Sequence, residues 1–282
     1  MRIALFWLIA LLALPWPAVA SCETGPATQR PVAVYVVPQL PPSVLYARWS
    51  PLLAQVGRKT GQCFELHIAA SIPEFERALL KGTPDLAFIN PYHAVMVRRR
   101  QGYIPLLMDS QERLSGILTV AADSPIQDVA ALDGQTVVFP APNAFAASLL
   151  IRAHLARRGI RIEPQYVQTH ASVYRAVALG EVIAGGGVNN TLQREEPALR
   201  NRLRVLYETP SYAPHPLVAH PRIPAALRES VLSAFINIAS TDNGRQLLNQ
   251  VQLPVPVRSN CDRDYAPLER LGLERFVVLD ER

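Results

Sequence analysis

Few residues in this chain sit at spacings that support bond-making chemistry. There is no G-x-S-x-G, no H-E-x-x-H, no Walker-type loop and no G-x-G-x-x-G. The six histidines, His67, His93, His154, His170, His215 and His220, show no ligand spacing, and no C-x-x-C exists. Each histidine reads first as a surface or packing residue. No metal, no cofactor and no enzymatic activity are expected. What the sequence does offer is backbone chemistry at helix starts. Phe139-Pro140-Ala141-Pro142-Asn143-Ala144-Phe145-Ala146-Ala147 runs from an apolar strand straight into a helix. The free N–H groups of residues 144 to 147, together with the positive end of the helix dipole, make an anion site. Small Ala144 and Ala146 let a ligand approach the backbone.

Two other segments repeat that geometry. Ile89-Asn90-Pro91-Tyr92-His93 places proline at a helix start after a strand, and Thr169-His170-Ala171-Ser172 opens a third helix. Any one of them alone is an ordinary capped helix. Three at the carboxyl ends of strands in one layout predict a binding cleft.

The elements that must hold these starts alternate regularly. Pro31–Val37 is a β-branched run, Leu45–Thr60 carries apolar residues at helical spacing, and Cys63–Ala69 is strand-like. Ser71-Ile72-Pro73-Glu74 forms a capping box, Asp85–Asn90 is a buried strand, and Pro91 opens a helix to Arg100. The pattern restarts with strands at Ser115–Ala122 and Gln135–Pro140, a helix capped by Asn143 through Arg158, and a strand at Arg161–Thr169. A helix at Ser172–Glu181, a strand at Val182–Val188, helical residues 190–203 and a strand at Leu203–Glu208 complete it. Such an order predicts an α/β fold of two lobes, each a mixed, mostly parallel sheet flanked by helices, with the ligand cleft between them. Residues 21–112 and 207–282 would form lobe 1 and residues 113–206 lobe 2, with crossings near Gln111–Leu114 and Tyr207–His215.

Composition narrows the function. The chain has 282 residues, 49% of them hydrophobic, so it is long enough for real cores and too apolar to be disordered. The formal net charge is +5, but no basic tract exceeds Arg98-Arg99-Arg100, which argues against nucleic acid as a partner. At the N-terminus, Arg2 precedes the apolar run Ile3–Leu14, Pro15 and Pro17 break it, and Ala18-Val19-Ala20 suits a signal peptidase. Residues 1–20 are therefore expected to be a signal peptide directing export to the periplasm. Cys22, Cys63 and Cys261 leave one thiol over. Either Cys22 carries lipid and anchors the protein while Cys63 pairs with Cys261, or Cys22 bridges Cys63 and Cys261 stays free.

Asp85-Leu86-Ala87-Phe88-Ile89-Asn90-Pro91, Ala122-Asp123-Ser124-Pro125-Ile126, Phe139 to Ala147, and His170 followed by Tyr174 to Gly180 fall in one order. In that ordered set the chain resembles the phosphate/phosphite/phosphonate family of periplasmic solute-binding proteins of ABC importers. The resemblance implies the two-lobed class II periplasmic binding protein fold and capture of a small oxyanion for an inner-membrane ABC permease, by a monomer. It implies that the anion sits on the helix at Ala144–Ala147, with contacts from Tyr46, Asn90, Tyr92, Asn143, Phe145, His170 and Ser172. The chain departs from the family where Ala144-Phe145-Ala146 replaces Ser/Thr hydroxyls, and where Ala171 and Gly185–Gly187 replace acids that would hold a ligand ammonium. That erosion of hydroxyls leaves a second reading open: a ligand-sensing protein that feeds a signalling receptor, such as a sensor kinase ectodomain.

Overall fold

The computed structural model describes residues 30–278; the expected signal peptide and Cys22 lie outside them. β1 (Val32–Val36), β2 (Phe64–Ile68), β3 (Leu86–Phe88) and β4 (Ile104–Asp109) alternate with α1 (Pro42–Thr60), α2 (Ile72–Leu80) and α3 (Pro91–Gln101). The chain then crosses to a second sheet of β5 (Gly116–Ala121), β6 (Thr136–Phe139), β7 (Glu163–Tyr166), β8 (Gly185–Val188) and β9 (Leu203–Glu208). Between those strands lie a π-helical turn, Phe145–Leu150, running into α4 (Ile151–Arg157), then α5 (His170–Ala178), α6 (Asn189–Gln193) and α7 (Pro197–Arg200). The return adds β10 (Leu217–Ala219), α8 (Ala225–Ile238), α9 (Asp242–Gln250), β11 (Pro256–Arg258) and α10 (Cys261–Asp264) to the first lobe. β4, six residues long, and the three-residue β11 are strands that the sequence pattern does not announce.

Strand order is β11-β4-β10-β3-β1-β2 in the first sheet and β7-β6-β8-β5-β9 in the second. β1 pairs in parallel with β2 and β3, and β6 with β7 and β8, while β10 and β5 run antiparallel to both their neighbours. Each of those reversed strands is the first strand laid down after a crossing, so the reversal follows from the chain entering its sheet from the other lobe. Tyr207 and Glu208 still pair with Leu118 and Ile117, so the second sheet runs past the boundary expected at 206.

The two crossings are tied to each other. Leu114 and Tyr212 exchange backbone hydrogen bonds of 3.0 and 2.9 Å, and buried Asp109 accepts from the N–H groups of Gln111, Glu112 and Val255. The C-terminal segment reaches the second lobe as well. Arg152 donates to the carbonyls of Pro142 and Phe276 at 2.8 and 2.5 Å, with its guanidinium 5.5 Å from the Phe276 ring centre. Cys63 is disulfide-bonded and Cys261 is a free thiol, which excludes the Cys63–Cys261 pairing. No described helix is long and apolar enough to cross a membrane.

Candidate oxyanion site between the lobes

The π-helical turn is the centre of the site, and glycines seat it. A Cβ on Gly116 of β5 would overlap the carbonyl oxygen of Ala146, and one on Gly186 of β8 would overlap that of Ala147 and the Phe139 ring. The turn therefore lies directly on the second sheet, closer than any side chain would permit. Gly185 and Gly187 admit Val173, Val177 and Tyr174 of α5 in the same way. These glycines are packing devices, and none of Gly185–Gly187 lines the cleft.

The helix start differs from the expected one. Ala144, with extended φ −64° and ψ 110°, occupies the N-cap position, and no side chain caps the turn. Asn143 stands one residue too early to do so. Its Nδ2 instead donates to Glu76 Oε2 at 2.8 Å and to the Val278 carbonyl at 2.9 Å, and its Oδ1 accepts from Val278 N–H. Ser148 and Leu149 N–H both bond the Ala144 carbonyl, which sets the wide π pitch. The N–H groups of Phe145, Ala146 and Ala147 meet no acceptor among the described residues.

Those three residues and Ala144 line a cavity of about 510 Å³ between the lobes. Asn90 and His170, also expected at the site, line it too. Asn90 uses its Oδ1 to cap α3, accepting His93 N–H at 2.8 Å, so that helix start is already satisfied. Thr169 caps α5 through Ser172 N–H at 3.0 Å. His170 follows that cap with a buried Nδ1 that has no partner among the described residues. Burial pushes its pKa down to about 4, so the imidazole is neutral at pH 7.

Four expected contacts lie off the cavity. Tyr46 is exposed on α1 and donates to the Leu66 carbonyl at 3.2 Å. Tyr92 packs against the first lobe's core, Asn143 is taken up by Glu76 and Val278, and the Ser172 hydroxyl pairs with Thr169 Oγ1 at 2.8 Å. Other residues line the cavity. His215, buried and stacked on Phe88, lines the cavity with its Nε2 2.9 Å from Gln39 Nε2. Burial, and beyond it neighbouring His93, hold its pKa down at about 3. Arg48 from the first lobe and Arg194 and Glu195 from the second add charge to the lining. Among the described residues no group of histidine, cysteine and acidic side chains could hold a metal ion.

Three open N–H donors at the positive end of a helix and a neutral imidazole line one cavity, the makings of an anion site. Comparison with known proteins agrees in fold. A protein from Xanthomonas citri, XAC2383 bound to ATP, superposes with a TM-score of 0.78 at 17% identity, covering 89% of this chain and 100% of its own. PhnD1 from Prochlorococcus marinus in complex with methylphosphonate gives 0.75 at 14% identity, covering 86% and 97%. A binding protein component of an ABC phosphonate transporter from Pseudomonas aeruginosa, PA3383, gives 0.74 at 16%, covering 88% of each. No curated protein matches the chain in sequence. These relatives lend the signalling reading no support. Residues 34–265 match the family model described as "ABC transporter, phosphonate, periplasmic substrate-binding protein". The chain belongs to that family, whose members are periplasmic and hand their ligands to an ABC permease.

Proposed function

We propose that the protein is a non-enzymatic, monomeric receptor, exported by its N-terminal segment, that closes its two lobes on a phosphate-, phosphite- or phosphonate-type oxyanion and presents it to the permease. One observation carries this reading: the uncapped helix start at Phe145–Ala147, whose three N–H groups meet no acceptor among the described residues and whose residues line a cavity together with neutral His170. A free protein leaves such donors to water, and an oxyanion satisfies them together with the dipole. Lobe closure about the paired crossings at Leu114 and Tyr212 would supply the rest of the affinity. Thermal-shift and calorimetric titration with phosphate, phosphite, methylphosphonate, sulfate and alkylsulfonates tests the proposal. Stabilisation by at least one phosphorus oxyanion, with no turnover on a phosphoester panel, is expected. A protein that no anion stabilises, or that hydrolyses the esters, would refute it.

A further inference from the structure

The cavity is larger than a bare oxyanion requires. At about 510 Å³ it lies in the range that takes a drug-sized organic molecule, roughly 300–1,000 Å³. A tetrahedral oxyanion amounts to a few waters, at about 30 Å³ each. Anchored on Phe145–Ala147, it leaves most of the space to whatever it carries.

The remaining wall has an unusual backbone. Among the described residues only two other than glycine have a positive φ: Gln168 at 70° and Gln252 at 63°. Both line this cavity, one from each lobe. Gln252 ends α9 in the position where the Leu253 N–H returns to the Leu248 carbonyl at 2.9 Å, a place glycine usually takes. Gln168 is the middle of a three-residue turn closed by Thr169 N–H on the Val167 carbonyl at 2.9 Å, the rare and strained hand of that turn. Glycine would hold either conformation freely. The chain instead places there two long amides, neither of which bonds another described residue. Strain of this kind concentrates at ligand clamps.

We propose that Gln168 and Gln252 are specificity-determining residues, two amide arms from opposite lobes that grip the uncharged, hydroxyl-bearing organic substituent of the oxyanion. The inference rests on the oxyanion reading above. An amide both donates and accepts, as hydroxyl groups do, and the amides of Gln39 and Asn190 line the same wall. The preferred ligand is thus a hydroxylated phosphonate or phosphomonoester, not the bare anion and not an alkyl analogue.

Calorimetry on the mature protein with phosphate, methylphosphonate, propylphosphonate, 2-hydroxyethylphosphonate and glycerol 3-phosphate decides it. At least one hydroxylated ligand should bind tenfold or more tighter than propylphosphonate. In Gln168→Gly and Gln252→Gly, which relieve the backbone and should melt no lower than the parent, that ratio should fall toward one. Gln252→Asn, which tolerates the same φ with a shorter arm, should fall between. Phosphate or methylphosphonate binding with no preference for the hydroxylated ligands overturns this inference and leaves the oxyanion reading standing. So does a preference that survives both glycine variants. No binding by any of the five overturns both.

Discussion

The two lobes repeat one strand order, and within each the helices start in two ways, capped and open. β2-β1-β3-β10-β4 in the first corresponds to β7-β6-β8-β5-β9 in the second, so α2 matches α5, and α3 matches α6. In the first lobe α2 and α3 are closed by their own sequence: Ser71 Oγ accepts from Glu74 N–H at 3.3 Å, and Asn90 Oδ1 from His93 N–H. In the second, Thr169 closes α5 in the same way, whereas the helix after β6 starts at Ala144 with no side-chain cap, as does its counterpart α1 at Pro41. A capped start needs no partner, whereas an open one in a cleft has donors to give. The comparison teaches that a helix N-terminus reads as a ligand site through the absence of a cap, not through the presence of a strand–proline–helix pattern.

The largest effect should come from the seat of that open start. Gly186→Ala drives a Cβ into the Ala147 carbonyl and the Phe139 ring, neither of which can swing aside. Overpacking against backbone should cost about 3 kcal/mol of stability and lower ligand affinity as well. Gly134→Ala, where a positive φ of 73° is strained for alanine but no neighbour lies within 4 Å, should cost only about 1 kcal/mol. Denaturant unfolding of the pair checks this, and equal losses would mean that the helix is not seated by contact.

Next comes a direct conversion of the open start into a capped one. Ala144 already has the extended backbone of an N-cap. Ala144→Asp should close the turn as Asn90 closes α3, raising stability by about 1 kcal/mol. The same carboxylate occupies the free N–H groups and repels an oxyanion, so affinity should fall a hundredfold or more. A higher melting temperature with lost binding is the expected pairing. A better-melting variant that binds normally would move the anion elsewhere in the cleft.

A smaller effect distinguishes positioning from contact. Asn143→Ala removes the donor to Glu76 and the two bonds to Val278 that hold the helix start against the first lobe and the C-terminal segment. About 2 kcal/mol of stability should go, because Glu76 is buried and loses a partner. If Asn143 touched the ligand instead, binding would suffer while the melt stayed put.

These cases also show what the sequence could reveal. The capped starts were legible because Ser71 and Asn90 stand at fixed offsets from the N–H groups that they bond. The β-branched runs fixed the lobes for a similarly local reason. Asn143 misleads because its partners, Glu76 and Val278, lie far away in sequence, and the π turn has no compositional mark that separates it from an α-helix. His215, read as surface or packing, reaches the cavity only because β10 inserts between β3 and β4. Gln168 and Gln252 could not be seen either: a positive φ at glutamine is a consequence of tertiary closure, not of residue type.

The smallest effect separates two histidines that line the same cavity from opposite lobes. Burial lowers both, His170 to about 4 and His215 to about 3, from an ordinary value near 6.5. In the free protein the unfolded chain takes up protons near pH 6.5 that the folded chain refuses, so both histidines make stability fall as pH drops from about 6.5 toward 4. A ligand should break the equivalence. His215 already has Gln39 on Nε2 and Phe88 against its ring, while His170 has an Nδ1 without a partner among the described residues and lines the cavity with the open helix start. An oxyanion placed there favours the imidazolium and raises His170 alone. Between pH 4 and 6.5 the complex then holds more protons than the free protein, and affinity rises as pH falls. Set against His170→Gln, the ligand's own ionisation cancels, and the wild type alone should show a several-fold gain between pH 7 and 5. Nuclear magnetic resonance titration of the two rings, with and without methylphosphonate, gives the site-resolved answer: movement of His215 rather than His170 would place the anion on the first lobe's wall.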